Sequence, residues 1–196
     1  MSSLMDYTKL EKLVKKHLKS SRFEHSKGVA EVCSALSERF LCDKDAGLYT
    51  GIFHDWCRYD KDDEILNICK KANMDLSEEE LNKPMLLHGA AAATLMPTIV
   101  GPVPESYTKA IRHHTLGSID MGILGACLYI ADYTEPNRKH ITNDDRKEIF
   151  SLSSLEEMVM NILKREERYY KEKDMTFAKR TLELFYFVEH GGLFKD

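Results

Sequence analysis

Residues 122–138 read G-I-L-G-A-C-L-Y-I-A-D-Y-T-E-P-N-R. Leu124, Leu128 and Ala131 recur at the spacing of one helical face. Asp132 falls on the same stripe, four residues after Leu128. A carboxylate on the buried side of a helix is costly unless it is paired or bound to a metal. Pro136 ends the pattern. An apolar helical stripe that carries an inward polar group is thus the unit to look for elsewhere in the chain.

Working outward, the unit repeats. Val29, Val32, Cys33 and Leu36 form a stripe that Phe40 extends, and His25 continues its face four residues earlier. Leu81, Met85, His88, Ala92 and Leu95 form another, with His88 inside the row. Leu10, Leu13, Val14, His17 and Leu18 are helical near the start. Leu155, Val159 and Ile162 lead one helix near the end, and Phe177, Leu184, Phe185 and Val188 another. Ser77 with Glu80, and Ser153 with Glu156, fit the capping-box spacing. No stretch alternates cleanly enough for a strand. Breakers fall at Pro97, Gly101–Pro104, Gly117, Pro136 and Gly191–Gly192. With no repeat and no linker, the pattern predicts one all-α domain over 1–196, a bundle of roughly eight to ten helices. Its motifs lie in 20–140, and helices in 142–190 pack on that core.

Composition bounds the partners. The 196 residues are 43% hydrophobic and 31% charged, which excludes a disordered chain. A net charge of -4 gives no global attraction to nucleic acid or an acidic membrane. The apolar stretches Ala90–Met96 and Ile123–Ala131 are too short to span a bilayer, and residues 1–17 do not read as a signal peptide. The five cysteines, Cys33, Cys42, Cys57, Cys69 and Cys127, are odd in number and form no C-x-x-C pair. Free thiols in a cytoplasmic, reducing setting fit that pattern. Lys164–Arg168 reads as a solvated helix face with i, i+4 ion pairs. The Tyr and Phe residues of 169–187 read as core packing or a subunit contact.

Two further clusters join the inward groups: Phe53-His54-Asp55-Trp56 and His113-His114. Each piece alone has a plain explanation. A core histidine is usually just hydrogen-bonded, and Asp132 can cap its helix or pair with Arg138. Together, five segments that each bring a His or Asp inward point to metal. Imidazoles and carboxylates suit iron, manganese, cobalt, nickel or zinc, and disfavour calcium. Adjacent helical residues point about 100° apart, so only one of His113 and His114 faces such a centre.

The order His25, His54-Asp55, His88, His114, Asp132 resembles the HD superfamily of metal-dependent phosphohydrolases. The words E-H-S-K-G-V at 24–29, F-H-D-W-C-R at 53–58, L-L-H-G at 86–89, A-I-R-H-H-T-L-G at 110–117 and Y-I-A-D-Y-T-E-P-N-R at 129–138 are similar to the YqeK branch, the bacterial symmetrical diadenosine-tetraphosphate hydrolases. The H-T-x-G and A-D-Y-x-E-P-N-R words are the more specific. The resemblance implies metal ligands His25, His54, Asp55, His88, His114 and Asp132, with Asp55 bridging a di-iron centre. It implies symmetrical cleavage of the tetraphosphate to two ADP through a dinuclear metal-activated hydroxide. Two six-coordinate ions offer about twelve positions; these six ligands and a bridging hydroxide leave roughly three for substrate. Asp55 and Arg58 are the expected catalytic residues. Arg58, Thr115, Gly117 and Arg138 are the expected substrate contacts, and Arg138 stays open between a phosphate and a carboxylate of its own chain.

Two departures from the branch stand out. Arg58 replaces its usual Lys, and Ser118 stands where it usually carries Arg. The second keeps open an HD nucleotidase or phosphodiesterase for another nucleotide. A metal-containing nucleotide-binding module without catalysis is the other alternative. A homodimer is compatible with either.

Overall fold

The computed structural model describes residues 3–41 and 43–195; Cys42, one of the five cysteines, lies outside them. Eleven α-helices and no strand occur among the described residues. They are α1 Tyr7–His17, α2 Ser20–Leu41, α3 Lys44–Phe53, α4 Asp62–Lys71, α5 Glu78–Asn82, α6 His88–Val100, α7 Glu105–His113, α8 Gly122–Thr134, α9 Asn143–Ser151, α10 Leu155–Glu172 and α11 Lys179–Glu189. The chain is all-α, as the periodicity predicts. No helix is long and apolar enough to cross a membrane.

α8 is the centre. It packs against α2, α3, α7 and α10. Because it is enclosed on several sides, Ala126, Cys127, Tyr129 and Ile130 are buried along with the predicted stripe of Leu124, Leu128 and Ala131. α2 and α3 pack along their lengths. Their close approach depends on glycine: a Cβ at Gly47 would stand 2.5 Å from the Cys33 backbone, and one at Gly51 would stand 2.4 Å from the Ala30 Cα. With no side chains there, the helix that carries His25 lies directly against the helix that ends at His54.

Three local expectations need correction. The predicted row Leu81–Leu95 is not one helix. It divides into α5, a 3-10 turn Pro84–Leu87, and α6. Pro84 disfavours helical geometry in the residue before it and lacks the N–H to continue the ladder. Pro97, by contrast, lies inside α6, which stops at Gly101 with its φ of 94°. The capping box predicted at Ser153 and Glu156 forms one residue later, between Ser154 and Glu157. That shift lets α10 begin at Leu155 and bury Leu155, Val159 and Ile162 together. The box at Ser77 and Glu80 forms as predicted.

Candidate metal centre

The helix ends deliver the polar groups. His25 lies near the start of α2, and His54 caps the C-terminus of α3 with Asp55 next to it. His88 opens α6, His114 caps α7, and Asp132 lies in the last turn of α8. The four histidines and Asp55 are buried. The Asp132 side chain keeps 23% exposure and marks the open side.

In all four rings one nitrogen is already committed. His54 Nδ1 donates to the Gly51 carbonyl at 2.7 Å, His88 Nδ1 to Met85 at 2.7 Å, and His114 Nδ1 to Ile111 at 2.8 Å. His25 Nδ1 donates to Glu135 Oε1 at 3.0 Å. A carbonyl or carboxylate can only accept, so Nδ1 carries the proton and a neutral ring turns the Nε2 lone pair inward. His25 Nε2 then faces His54 Nε2 at 3.3 Å, and His88 Nε2 faces His114 Nε2 at 3.1 Å. Lone pairs set against each other so closely in a buried site call for a cation, and imidazole with carboxylate is a donor set that first-row transition metals accept.

Asp55 lies between the two histidine pairs. Its Oδ2 is 3.2 Å from His54 Nε2 and 3.6 Å from His25 Nε2. Its Oδ1 is 2.9 Å from His88 Nε2 and 4.0 Å from His114 Nε2. Asp132 Oδ1 lies 3.0 Å from His25 Nε2 and 3.9 Å from His54 Nε2. Three overlapping groups result: His25, His54 and Asp55; His54, His114 and Asp132; Asp55, His88 and His114. The ligand atoms within each lie within 4.8 Å of one another.

Charge is balanced locally. Arg22, one helical turn before His25, donates to Asp55 Oδ2 at 2.8 Å. Arg138 donates through Nη2 to Asp132 Oδ1 and through Nε to the Asp132 carbonyl. Burial alone would raise both carboxyls, but His54 and His88 hold Asp55 well below the usual range. The His25 hydrogen bond and Arg138 hold Asp132 below it as well. Burial, together with His54 and His88, pushes His114 down to about 3. Burial also opposes protonation of His54, but the charges of Asp55 and Asp132 outweigh it and raise the ring's pKa.

A cavity of about 640 Å³ opens from His114 and Asp132. Thr115 lines it, with Oγ1 3.4 Å from His114 Nε2, and so does Arg138. Gly117 does not. It is buried at a φ of 70°, where a Cβ would stand 2.3 Å from Leu184. It turns the chain away from the centre and borders a separate small crevice with His113. The neighbouring pair is thereby sorted, with His114 turned inward and His113 outward. Arg58 follows Asp55 in the turn after α3, half-buried, with its N–H on the Asp55 carbonyl at 2.9 Å. Its side chain pairs with no carboxylate among the described residues.

Arg22 lies outside every motif word, and Glu135 lies inside the A-D-Y-x-E-P-N-R word without a role assigned to it there. Each sits at helical spacing from a ligand, Arg22 three residues before His25 and Glu135 three after Asp132. The stretch 164–168 also differs from its reading as a solvated face. Arg165 bonds Asn161, Asp145 and Glu148, while Glu166 faces the cavity and accepts from Tyr129 Oη at 2.7 Å. Of the aromatic residues in 169–187, Tyr169 and Tyr170 line the cavity and Tyr186 is exposed, while the three phenylalanines pack partly buried against the core.

Comparison with known proteins agrees with this geometry. Residues 22–137 match the HD domain family. A symmetrical bis(5'-nucleosyl)-tetraphosphatase of Staphylococcus aureus is 29% identical over 95% of this chain and 96% of its own length. The protein of the same name from Halalkalibacterium halodurans is 28% identical over 91% and 99%. That of Bacillus subtilis is 34% identical over 64% and 67%. The crystal structure of a predicted HD superfamily hydrolase involved in NAD metabolism from Clostridium acetobutylicum shares the fold, with a TM-score of 0.86, 24% identity, and coverage of 96% of this chain and 99% of that one. An all-helical frame that gathers four histidines and two aspartates at its helix ends, with relatives of one name along nearly its whole length, places the chain in the HD-domain family, among the symmetrical bis(5'-nucleosyl)-tetraphosphatases.

Proposed function

We propose that the chain hydrolyses diadenosine tetraphosphate symmetrically to two ADP at a dinuclear metal centre held by His25, His54, Asp55, His88, His114 and Asp132. The observation that carries this reading is Asp55, whose two oxygens face two different histidine pairs. A carboxylate so placed suits the bridge of a two-metal site. Two metal ions bound there supply Lewis acidity for phosphoryl oxygens and lower the pKa of water. Iron is the proposed pair, and the donor set also suits manganese, cobalt, nickel and zinc.

The protein's own part is placement and charge. The committed Nδ1 atoms hold every imidazole in its ligating tautomer. Asp132, at the open side, borders the cavity where the phosphates would lie. Arg58 does not line the cavity, but it has no carboxylate partner among the described residues, and on this reading it takes up charge that develops on the phosphate chain. Thr115 offers a hydroxyl beside His114. Arg138 holds Asp132 and contacts substrate only through the nitrogen left over. Gly117 shapes the turn that follows Thr115, and any part it has in binding is through that turn. The packing of α10 on α8 beside the cavity supports the reading of residues 142–190 as part of the same domain.

A cytoplasmic setting is supported by four buried free cysteines. A homodimer is part of the same proposal, and sedimentation tests it.

The function is tested by anaerobic purification, metal analysis and chromatography of the products from diadenosine tetraphosphate. ADP as the sole nucleotide product, with two metals per chain, is expected. AMP with ATP would overturn the symmetry, and a metal-loaded chain without turnover would overturn the substrate.

A further inference from the structure

The cavity reaches well past the metal centre, and its far wall is α10. Glu166, Tyr169 and Tyr170 fall at i, i+3 and i+4, so one face of that helix presents all three to the cavity. Glu166 is the unusual member. Its Oε2 accepts from Tyr129 Oη at 2.7 Å, and Oε1 has no hydrogen-bond partner among the described residues. Burial pushes its carboxyl up to about 7, against the Tyr129 hydrogen bond and with help from the charge of Asp132. No salt bridge to it forms among the described residues: Arg165 next to it is taken up by Asn161, Asp145 and Glu148, and Arg138, whose charge reaches it, is bonded to Asp132.

A half-buried carboxyl in such a place repels phosphate and suits neutral hydroxyls. Depth adds a second argument. The cavity is lined by buried His114, by half-buried Asp132 and Glu166, and by Tyr169, which is 56% exposed, so exposure rises from the metal-centre residues to Tyr169. A nucleotide has the same linear order of phosphate, sugar and base. Aromatic faces such as that of Tyr169 stack bases without regard to sequence.

We propose that the cavity face of α10 is a nucleoside subsite, in which Glu166, oriented by Tyr129, hydrogen-bonds the ribose hydroxyls and Tyr169 stacks on the base. The assignment rests on the nucleotide-hydrolase reading above and adds selection for ribose over sugars that lack the hydroxyls.

The test compares binding of ADP with that of its 2',3'-dideoxy analogue by calorimetry on the metal-loaded protein. Wild type is expected to bind ADP about 10-fold tighter or more, the range of a hydrogen bond to a charged group. Glu166→Gln should reduce that ratio to about 3-fold or less. Tyr169→Leu should weaken both ligands by about 10-fold and leave their ratio intact. Equal binding of the two ligands by wild type overturns the subsite with no variant needed, so a misfolded variant does not protect the idea. Glu166→Gln that weakens both ligands equally overturns it as well. Cleavage of diadenosine tetraphosphate without ribose discrimination sinks the subsite alone. Ribose discrimination in a chain that leaves diadenosine tetraphosphate intact sinks the substrate reading alone.

Discussion

Gly89 lies against the His114 ring: a Cβ at that position would stand 2.7 Å from His114 Nδ1 and 2.7 Å from the Ile111 carbonyl that Nδ1 binds. The residue after His88 thus has to be glycine for α6 and α7 to bring their histidines within 3.1 Å. Gly89→Ala is expected to push the rings apart, weaken metal binding at the His88–His114 side, and cost about 1–3 kcal/mol from overpacking. Metal analysis and thermal melting check it. A variant with both metals and an unchanged melting temperature would show that the contact is slack.

Asp55 should be indispensable to the metal centre as a whole. Asp55→Asn keeps the size but removes the charge and one acceptor oxygen, so both metals and activity should fall together. Fully metallated, active Asp55→Asn would refute the bridging role.

Glu135 acts through His25. A carboxylate on the far nitrogen of a ligating imidazole raises its basicity, and losing such a partner costs about 10–100-fold in metal affinity or activity. Glu135→Gln preserves the shape, so the loss should appear in metal affinity while the fold remains intact. A competition titration with a chelator reads it.

Arg58 gives the contrasting case. Arg58→Ala should leave metal content unchanged and lower kcat by about 100-fold, the scale for losing one charge-stabilising donor. Unchanged turnover would remove Arg58 from the mechanism.

Glu166 predicts a pH signature in the metal-free protein. Its folded pKa of about 7 lies above the ordinary value of 4.5, so the folded state holds more protons between these limits. Its contribution to stability is present in full below pH 4.5 and is lost as pH rises through 7. Glu166→Gln should therefore be more stable than wild type at pH 8, by up to about 3 kcal/mol, with the gap closing toward pH 4.5. Denaturant melts at both pH values decide it.

Much of this was legible in the chain. Stripes carrying His25, His88 and Asp132 announce helices with an inward polar group, and the helical period needs no tertiary information. The limits fall where packing decides. Tyr129 and Ile130 look like the outer face of α8, but neighbours on several sides bury them. Arg165 and Glu166 have the composition of a solvated face, and only the position of α10 over α8 turns them inward. Gly117 is a breaker in the sequence, but the reason glycine is needed there, a φ of 70° with Leu184 where a Cβ would stand, is visible only in the packing. Arg22 matters through Asp55, which is 33 residues away in sequence, a relationship no local pattern contains.

Three of the four ligand tautomers are set by main-chain carbonyls of the preceding helical turn. Those imidazoles are dictated by backbone, which no side-chain replacement edits. His25 is different, because its partner is a side chain. The strength of that one ligand is therefore open to adjustment at position 135, where a single substitution changes the partner and leaves the main chain of the centre untouched.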